Sequence, residues 1–362
     1  TADVSGVCSA LFELGGMTVM HDASGCNSTY NTHDEPRWYD MDSLVYISGL
    51  SELEAVMGDD EKLISDVSDA ARQLHPRFIA LAGTPIPMIT GCDLPAIARE
   101  VEGRTNIPSF AVPSNGIGTY VAGARQALRL YAERFITSRP EKRKNAVNIL
   151  GATPLDFSVN GCVQSMARRL EEAGFTLQSV FAMGSSFDSI DEAGAAEVNL
   201  VVSSVGLPAA KYFQAQFGTP YVIGAPFGDF FSPYVFDALR ESIRTGAPAD
   251  VLGTFAPDAP DTAIVGESVT AKSLAAALAV GYGIGARVIC PVEAPNGVLG
   301  ACDLRLEDEE EIEQALRGAR RVIADPLYRR IVPAKSEFYP LPHEAFSGRI
   351  YRRQIPNLAE RV

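Results

Sequence analysis

The sequence predicts an α/β protein of three stacked Rossmann-like domains, each with a parallel sheet. Three observations carry that expectation. Short apolar runs alternate with longer stretches of helical periodicity, as in parallel strands joined by crossover helices. The alternation recurs in three successive blocks, with no exact repeat and no low-complexity segment. A chain of 362 residues also exceeds what one ordinary core absorbs. The expected division is 1–140, 145–246 and 247–362, the last with an irregular C-terminal tail.

In the first block, Met17–His21, Ser43–Ile47, Phe78–Gly83 and Ser109–Val112 read as strands, and Cys8 lies in an upstream helix. Ser51–Leu74 and Gly118–Phe135 read as helices; Val121, Ala124, Leu128, Tyr131 and Phe135 mark one apolar face of the latter. The charged run Thr137–Lys144 reads as a linker. In the second block Ala146–Gly151, Gln178–Met183, Asn199–Ser203 and Tyr221–Ile223 read as strands. Val159–Ala173, Leu207–Phe217 and Pro233–Thr245 read as helices, before a Pro/Gly/Asp-rich stretch at Gly246–Asp261. The third block offers the helix Ser268–Val280, the strand Arg287–Pro291, the acidic helix Glu307–Arg317 and the strand Arg321–Ala324. Beyond Ile331 the proline-bearing tail is expected to wrap back over a neighbouring domain.

A net charge of −14 argues against nucleic acid and against an anionic membrane surface as partners. No apolar run approaches the roughly 20 residues of a membrane helix. No secretory signal opens the sequence, and the missing initiator Met fits a start inside a longer natural chain. The six cysteines (8, 26, 92, 162, 290 and 302) form no CxxC pair, which excludes a zinc ribbon, a bacterial ferredoxin run and a small disulfide scaffold. A reducing cytoplasm is the expected home. The four histidines are equally dispersed, so a self-contained mononuclear metal site is not expected.

The stretch Val19–Ser28 (VMHDASGCNS) organises the chemistry. An apolar strand ends in a turn of small and polar residues that delivers Cys26 where backbone N–H groups are free, a suitable place for the edge of a metal sulfide. A buried thiol packing a turn is the competing reading of any single cysteine. The loop Asn27–Asp42 that follows, with His33, Asp34, Glu35, Arg37, Trp38 and Tyr39, reads as a subunit contact or a cover over whatever Cys26 holds. Gly281–Gly285 (GYGIG) follows a helix and precedes a strand, so a helix cap and turn is favoured over a dinucleotide site. No Walker A motif and no G-x-S-x-G elbow occur; any nucleotide hydrolysis belongs to another chain. Asp308–Glu311 reads as a solvated helix face, and His343 as a tail anchor ahead of a site border.

Four segments resemble the component 1 proteins of nitrogenase and nitrogenase-like reductases. His21–Cys26 is similar to the family's H-G-x-x-G-C cluster turn, with Asp22 in place of a glycine. Ser51–Leu63 resembles its glycine-containing segment before a helix, and Ile89–Leu94 its I-G-D-D-L. Asn199–Ser203, Leu207–Phe217 and Gly218–Tyr221 resemble its middle-domain strand–helix–strand. The resemblance implies an iron–sulfur cluster shared with a partner subunit, of the 8Fe-7S P-cluster type or 4Fe-4S, with Cys26 and Cys8 as this chain's ligands. It implies a homologous α-type subunit in an α2β2 assembly, and an ATP-hydrolysing iron protein that injects electrons. The family's third ligand cysteine falls near Pro85 and its first near Thr1, so neither is present at its place; Cys92 stands where the family has an acidic residue and reads as a small core residue. The cysteine that holds the substrate cofactor in the family's catalytic α subunit corresponds to Ser203. The resemblance therefore implies a β-type, electron-relaying subunit. The short chain favours a nitrogenase-like reductase, with C–S cleavage of methylthio-alkanes as the suggested reaction. A nitrogenase β subunit, a protochlorophyllide or nickel-tetrapyrrole reductase subunit, a cofactor-assembly scaffold and a plain ligand-binding protein are the alternatives.

Overall fold

The computed structural model describes residues 1–23, 25, 35–255 and 260–362. The chain forms two compact units, Thr1–Leu130 and Tyr131–Val362.

The first unit is built on β1 (Met17–His21), β2 (Leu44–Ile47), β3 (Ile79–Gly83) and β4 (Ser109–Val112), all parallel in the order β2-β1-β3-β4. β1 and β3 are buried along their whole length, as central parallel strands are when helices cover both faces. From the helices Asp60–Leu74 and Leu94–Thr105, Leu63, Val67, Ile97 and Val101 pack on Met17, Val19, Ile79 and Leu81. The helix Asp3–Leu11 also lies on β1 and β3 and is buried on every side. Its start is clamped: the Asp3 carboxylate accepts from the backbone N–H groups of Asn115 (2.9 Å) and Gly116 (2.8 Å). Two glycines let this helix meet the helix Tyr120–Phe135 backbone to backbone. A Cβ at Gly123 would lie 1.8 Å from the Asp3 carbonyl oxygen, and one at Gly6 2.1 Å from that of Tyr120.

The expected helix Ser51–Leu74 is two helices, Glu52–Met57 and Asp60–Leu74. Ser51 and Glu54 close a reciprocal capping box at the start of the first, and Gly58 ends it in the left-handed conformation. Apolar periodicity continues across the break and hides it.

The second unit carries two sheets. β5 (Arg143–Leu150), β6 (Thr176–Val180), β7 (Ala196–Val201), β8 (Tyr221–Ile223) and β9 (Ala249–Asp250) run in the order β6-β5-β7-β8-β9. β10 (Thr262–Val265), β11 (Ala286–Cys290), β12 (Leu304–Arg305), β13 (Arg321–Ala324) and β14 (Glu337–Pro340) run in the order β12-β11-β10-β13-β14. Every pairing is parallel. The fold is thus mixed α/β with three parallel sheets, as expected.

Local departures have identifiable causes. The charged run read as a linker already contains the start of β5, because Arg143 reaches Gln178 and Glu192 along the sheet's end. The helix placed at Pro233–Thr245 begins at Gly228, and Pro233 lies inside it. The Pro/Gly/Asp-rich stretch concealed β9, with β10 directly after it. The tail is less irregular than expected: β14 adds an edge strand, and the short helix Glu344–Ser347 follows. The remaining tail is laced onto the second sheet's helices. Asn160 donates to the carbonyls of Ile355 (3.1 Å) and Pro356 (3.0 Å), Ser165 to Glu360 (2.8 Å) and Ser158 to Glu344 (2.9 Å). GYGIG is a helix end: Ser268–Tyr282 is capped by Gly283 at φ 65°.

Candidate functional site

In a doubly wound parallel sheet, ligands sit beyond the carboxyl ends of the strands, where strand order reverses. In the first unit that point lies between β1 and β3, where His21 pairs with Gly83. The cysteine turn leaves from there. Thr84 ties the two strand ends together, its hydroxyl lying 2.8 Å from the His21 carbonyl and 3.1 Å from the Asp22 carboxylate. Asp22 replaces the family's glycine without strain, because its backbone stays out of the left-handed region. Ser48, just past β2, accepts from the Asp22 N–H (3.1 Å) and lies 2.8 Å from Nδ1 of His21.

Cys26 itself lies outside the described residues. Cys8 is fully buried in the helix Asp3–Leu11. Burial, reinforced by the Glu35 carboxylate, pushes its thiol far above the ordinary range, so the sulfur is protonated here. A metal at Cys8 has to displace that proton. The loop read as a contact or cover is in part packing. Glu35 and Arg37 are buried and joined at 2.6 Å, and Arg37 also reaches Glu13 (2.8 Å) and the Ser9 carbonyl (2.8 Å) while lying over the Phe12 ring. Tyr39 and Met41 point outward. Pro85 opens the helix Pro85–Thr90. Among the described residues no group of three or more His, Cys, Asp or Glu could hold a metal ion. The described residues therefore do not fit a self-contained cluster site.

A feature that sequence reasoning missed adjoins the same strand end. A cavity of about 190 Å³ is lined by His21, Glu54, Asp59, Asp60, Thr90 and Cys92, among others. Cys92 packs partly against the core, as expected, but its thiol also donates to Asp60 (3.6 Å). Burial pushes that thiol up to about 12, helped by Asp60. His21 is lowered by burial, against the opposing pull of Asp60, Asp22 and Glu54. A histidine lowered in the folded state adds nothing to stability above its unfolded pKa. As pH falls below about 6.5, the unfolded chain takes the proton first and stability drops. His21→Gln is expected to flatten that drop, measured as denaturant midpoints on either side of this pH.

In the second unit, both reversal points, between β5 and β7 and between β10 and β13, face one crevice. Several of its polar groups pair with one another. Ser203 donates to Asp156 (2.6 Å), and buried Glu267 accepts from the Ser204 N–H (3.2 Å) as well as from Ser268, Val269 and Thr270. His343 stacks on Phe346, accepts from the Ala345 N–H (3.2 Å) and holds Nε2 3.6 Å from Asp156. It both anchors the tail and borders the crevice. The cavity left is about 50 Å³.

No described helix is long and apolar enough to cross a membrane. Comparison with known proteins places these features. The nitrogenase iron-molybdenum cofactor biosynthesis protein NifE of Clostridium pasteurianum is 24% identical over 179 residues, 49% of this chain and 38% of that one. One of the subunits of the light-independent protochlorophyllide reductase of Nostoc punctiforme is 26% identical over 181 residues, 47% of this chain and 36% of that one. The nitrogenase molybdenum-iron protein alpha chain of C. pasteurianum is 23% identical over 186 residues, 49% and 33% of the two chains. The chain thus spans less than half the length of these relatives. The solved structure titled nitrogenase Cp1 at pH 5 shares the fold, with a TM-score of 0.60 at 17% identity over 87% of this chain and 69% of that one. The family model described as nitrogenase component 1 type oxidoreductase matches residues 5–249, more than half of the sequence, and the chain belongs to that family.

Proposed function

We propose that the chain is the β-type subunit of a nitrogenase-like reductase complex, contributing Cys26 and Cys8 to an iron–sulfur cluster completed by a homologous α-type subunit. When bound, the cluster supplies one-electron transfer, and an ATP-hydrolysing iron protein feeds it. The observation that carries this reading is the apolar surface beside the His21 strand end. Leu53, Val56 and Met57 on one short helix, and Ile89 on its neighbour Pro85–Thr90, are 72%, 77%, 72% and 78% exposed. Large apolar side chains at that exposure mark a surface meant to be covered. Ser203, where the family's catalytic subunit has a cysteine, is instead hydrogen-bonded to Asp156, which supports a relay role with the substrate cofactor in the partner, and methylthio-alkanes are the substrate class to assay first.

The residues of this chain do the positioning. The switch point fixes the base of the turn through Thr84 and Ser48, and the Asp3 clamp holds the helix that carries Cys8. In the complex purified anaerobically with its natural partner, Cys26→Ala is expected to remove most of the cluster iron and its paramagnetic resonance signal. Unchanged iron in that variant, or an iron-free parent complex, overturns the reading. The match to cofactor biosynthesis proteins favours a second reading, a scaffold on which a metallocluster is assembled; transient iron occupancy without turnover selects it.

A further inference from the structure

The cavity beside His21 gathers three carboxylate residues, Glu54, Asp59 and Asp60, around the imidazole, with Leu50, Ala55, Thr90 and Cys92 completing its side-chain lining. Ser48 Oγ lies 3.3 Å from the Asp22 carbonyl and 2.8 Å from Nδ1 of His21. In the tautomer where Ser48 donates to the carbonyl, Nδ1 donates to Ser48 and Nε2 is a bare acceptor, on a residue only 6% exposed that lines the cavity. The Asp60 carboxylate, whose hydrogen bond is the Cys92 thiol, and the carboxylates of Asp59 and Glu54 join it. The hydroxyl proton of Thr90 is already turned to the carbonyls of Ile86 and Pro87. Lys62, 3.8 Å from Glu54, is half exposed and does not line the cavity. Two helices, Glu52–Met57 and Pro85–Thr90, end there at Gly58 and Gly91, turning the negative ends of their dipoles toward it.

Such a site selects a compact cation rich in N–H donors. We propose that it receives the guanidinium or ammonium group of an arginine or lysine side chain from the partner subunit. A protein source, not a free amine, follows from the rim. The same two helices carry the exposed Leu53, Val56, Met57 and Ile89, so the cation arrives embedded in an apolar contact, as interface anchors do. The acidity of the chain, net −14, gives a basic partner segment a favourable approach. This inference rests on the proposed pairing with a second subunit and identifies the chemistry of that contact.

The test uses propylguanidinium as the cation probe and propylurea as its neutral counterpart, read by nitrogen resonances of the His21 imidazole. The isolated chain is expected to give a saturable shift with propylguanidinium and none with propylurea. Asp60→Asn, close to isosteric, should weaken the probe about tenfold, in line with the loss of one charge partner in a partly desolvated site. Val56→Ser should leave probe binding unchanged. In the complex with the partner subunit, the probe is expected to be excluded, and Asp60→Asn should weaken assembly and lower its salt dependence. No saturable shift in the isolated chain overturns the pocket. Equal probe binding in the complex overturns docking in favour of a free ligand. Stoichiometric zinc or ferrous iron held by His21 and lost in Asp60→Asn also overturns it, in favour of a metal. An iron-free complex that still excludes the probe counts against the cluster reading alone.

Discussion

Replacing Asp303 with alanine is expected to cost the second unit about 3–5 kcal/mol, the range for breaking a buried ion pair from one side. Lys272 and Asp303 meet at 2.7 Å with side chains 3% and 0% exposed, so the alanine variant strands an ammonium group with no water to solvate it. Asp303 also accepts from the N–H groups of Val288 (2.8 Å) and Gly300 (2.8 Å), pinning the segment after β11 to the strand itself. That second role fixes the design of the rescue. Asp303→Asn combined with Lys272→Met removes both charges but keeps only one acceptor oxygen for the two backbone N–H groups, and should recover part of the loss. Asp303→Leu with Lys272→Met should not, because two buried N–H groups then lack acceptors. Urea midpoints of the four proteins decide the order.

Gly123→Val is expected to destabilise the first unit by about 3 kcal/mol or more, at the upper end for overpacking. The obstructing atom is the backbone oxygen of Asp3, so no side-chain rotation relieves the clash; the helix carrying Cys8 has to move. The same variant is therefore expected to expose the Cys8 thiol, and its alkylation by iodoacetamide should quicken beyond what global unfolding explains. Gly103 is the control. It lies in the helix Leu94–Thr105, and a Cβ there meets nothing within 4 Å, so Gly103→Ala should stabilise by up to about 1 kcal/mol.

Most central strands were legible because burial on both faces leaves unbroken apolar runs, as in Met17–His21, which matches the structure residue for residue; β10 was hidden behind the Pro/Gly/Asp-rich stretch before it. Some edge strands were legible too, Ser109–Val112 residue for residue, but β9, β12 and β14 were not: they are short, partly exposed and rich in residues that also suit turns, so local pattern gave no contrast. The helix break at Gly58 was written in the sequence as Gly-Asp but overridden by continuous periodicity. At the site, the turn ending in Cys26 was visible as a motif. The cavity at the His21 strand end was not, because His21, Asp60 and Cys92 are far apart in sequence and only the return of β3 to β1 brings them together. Glu35 and Arg37 looked like surface chemistry. Their burial depends on Glu13 and Ser9, partners that no periodicity announces.

The lacing of the tail has a consequence for biosynthesis. The bonds from Ser158, Asn160 and Ser165 to Glu344, Ile355, Pro356 and Glu360 span 186 to 196 positions of chain. At about 5–20 residues per second, the middle sheet's helices leave the ribosome roughly 10–40 s before their last partners exist. During that interval the second unit is open on the face the tail will close, and chaperones have their longest opportunity to engage it. Contacts this distant in sequence also place a large loop-closure cost late in folding. Ordering of residues 350–362 should accordingly be the slowest refolding phase of the unit.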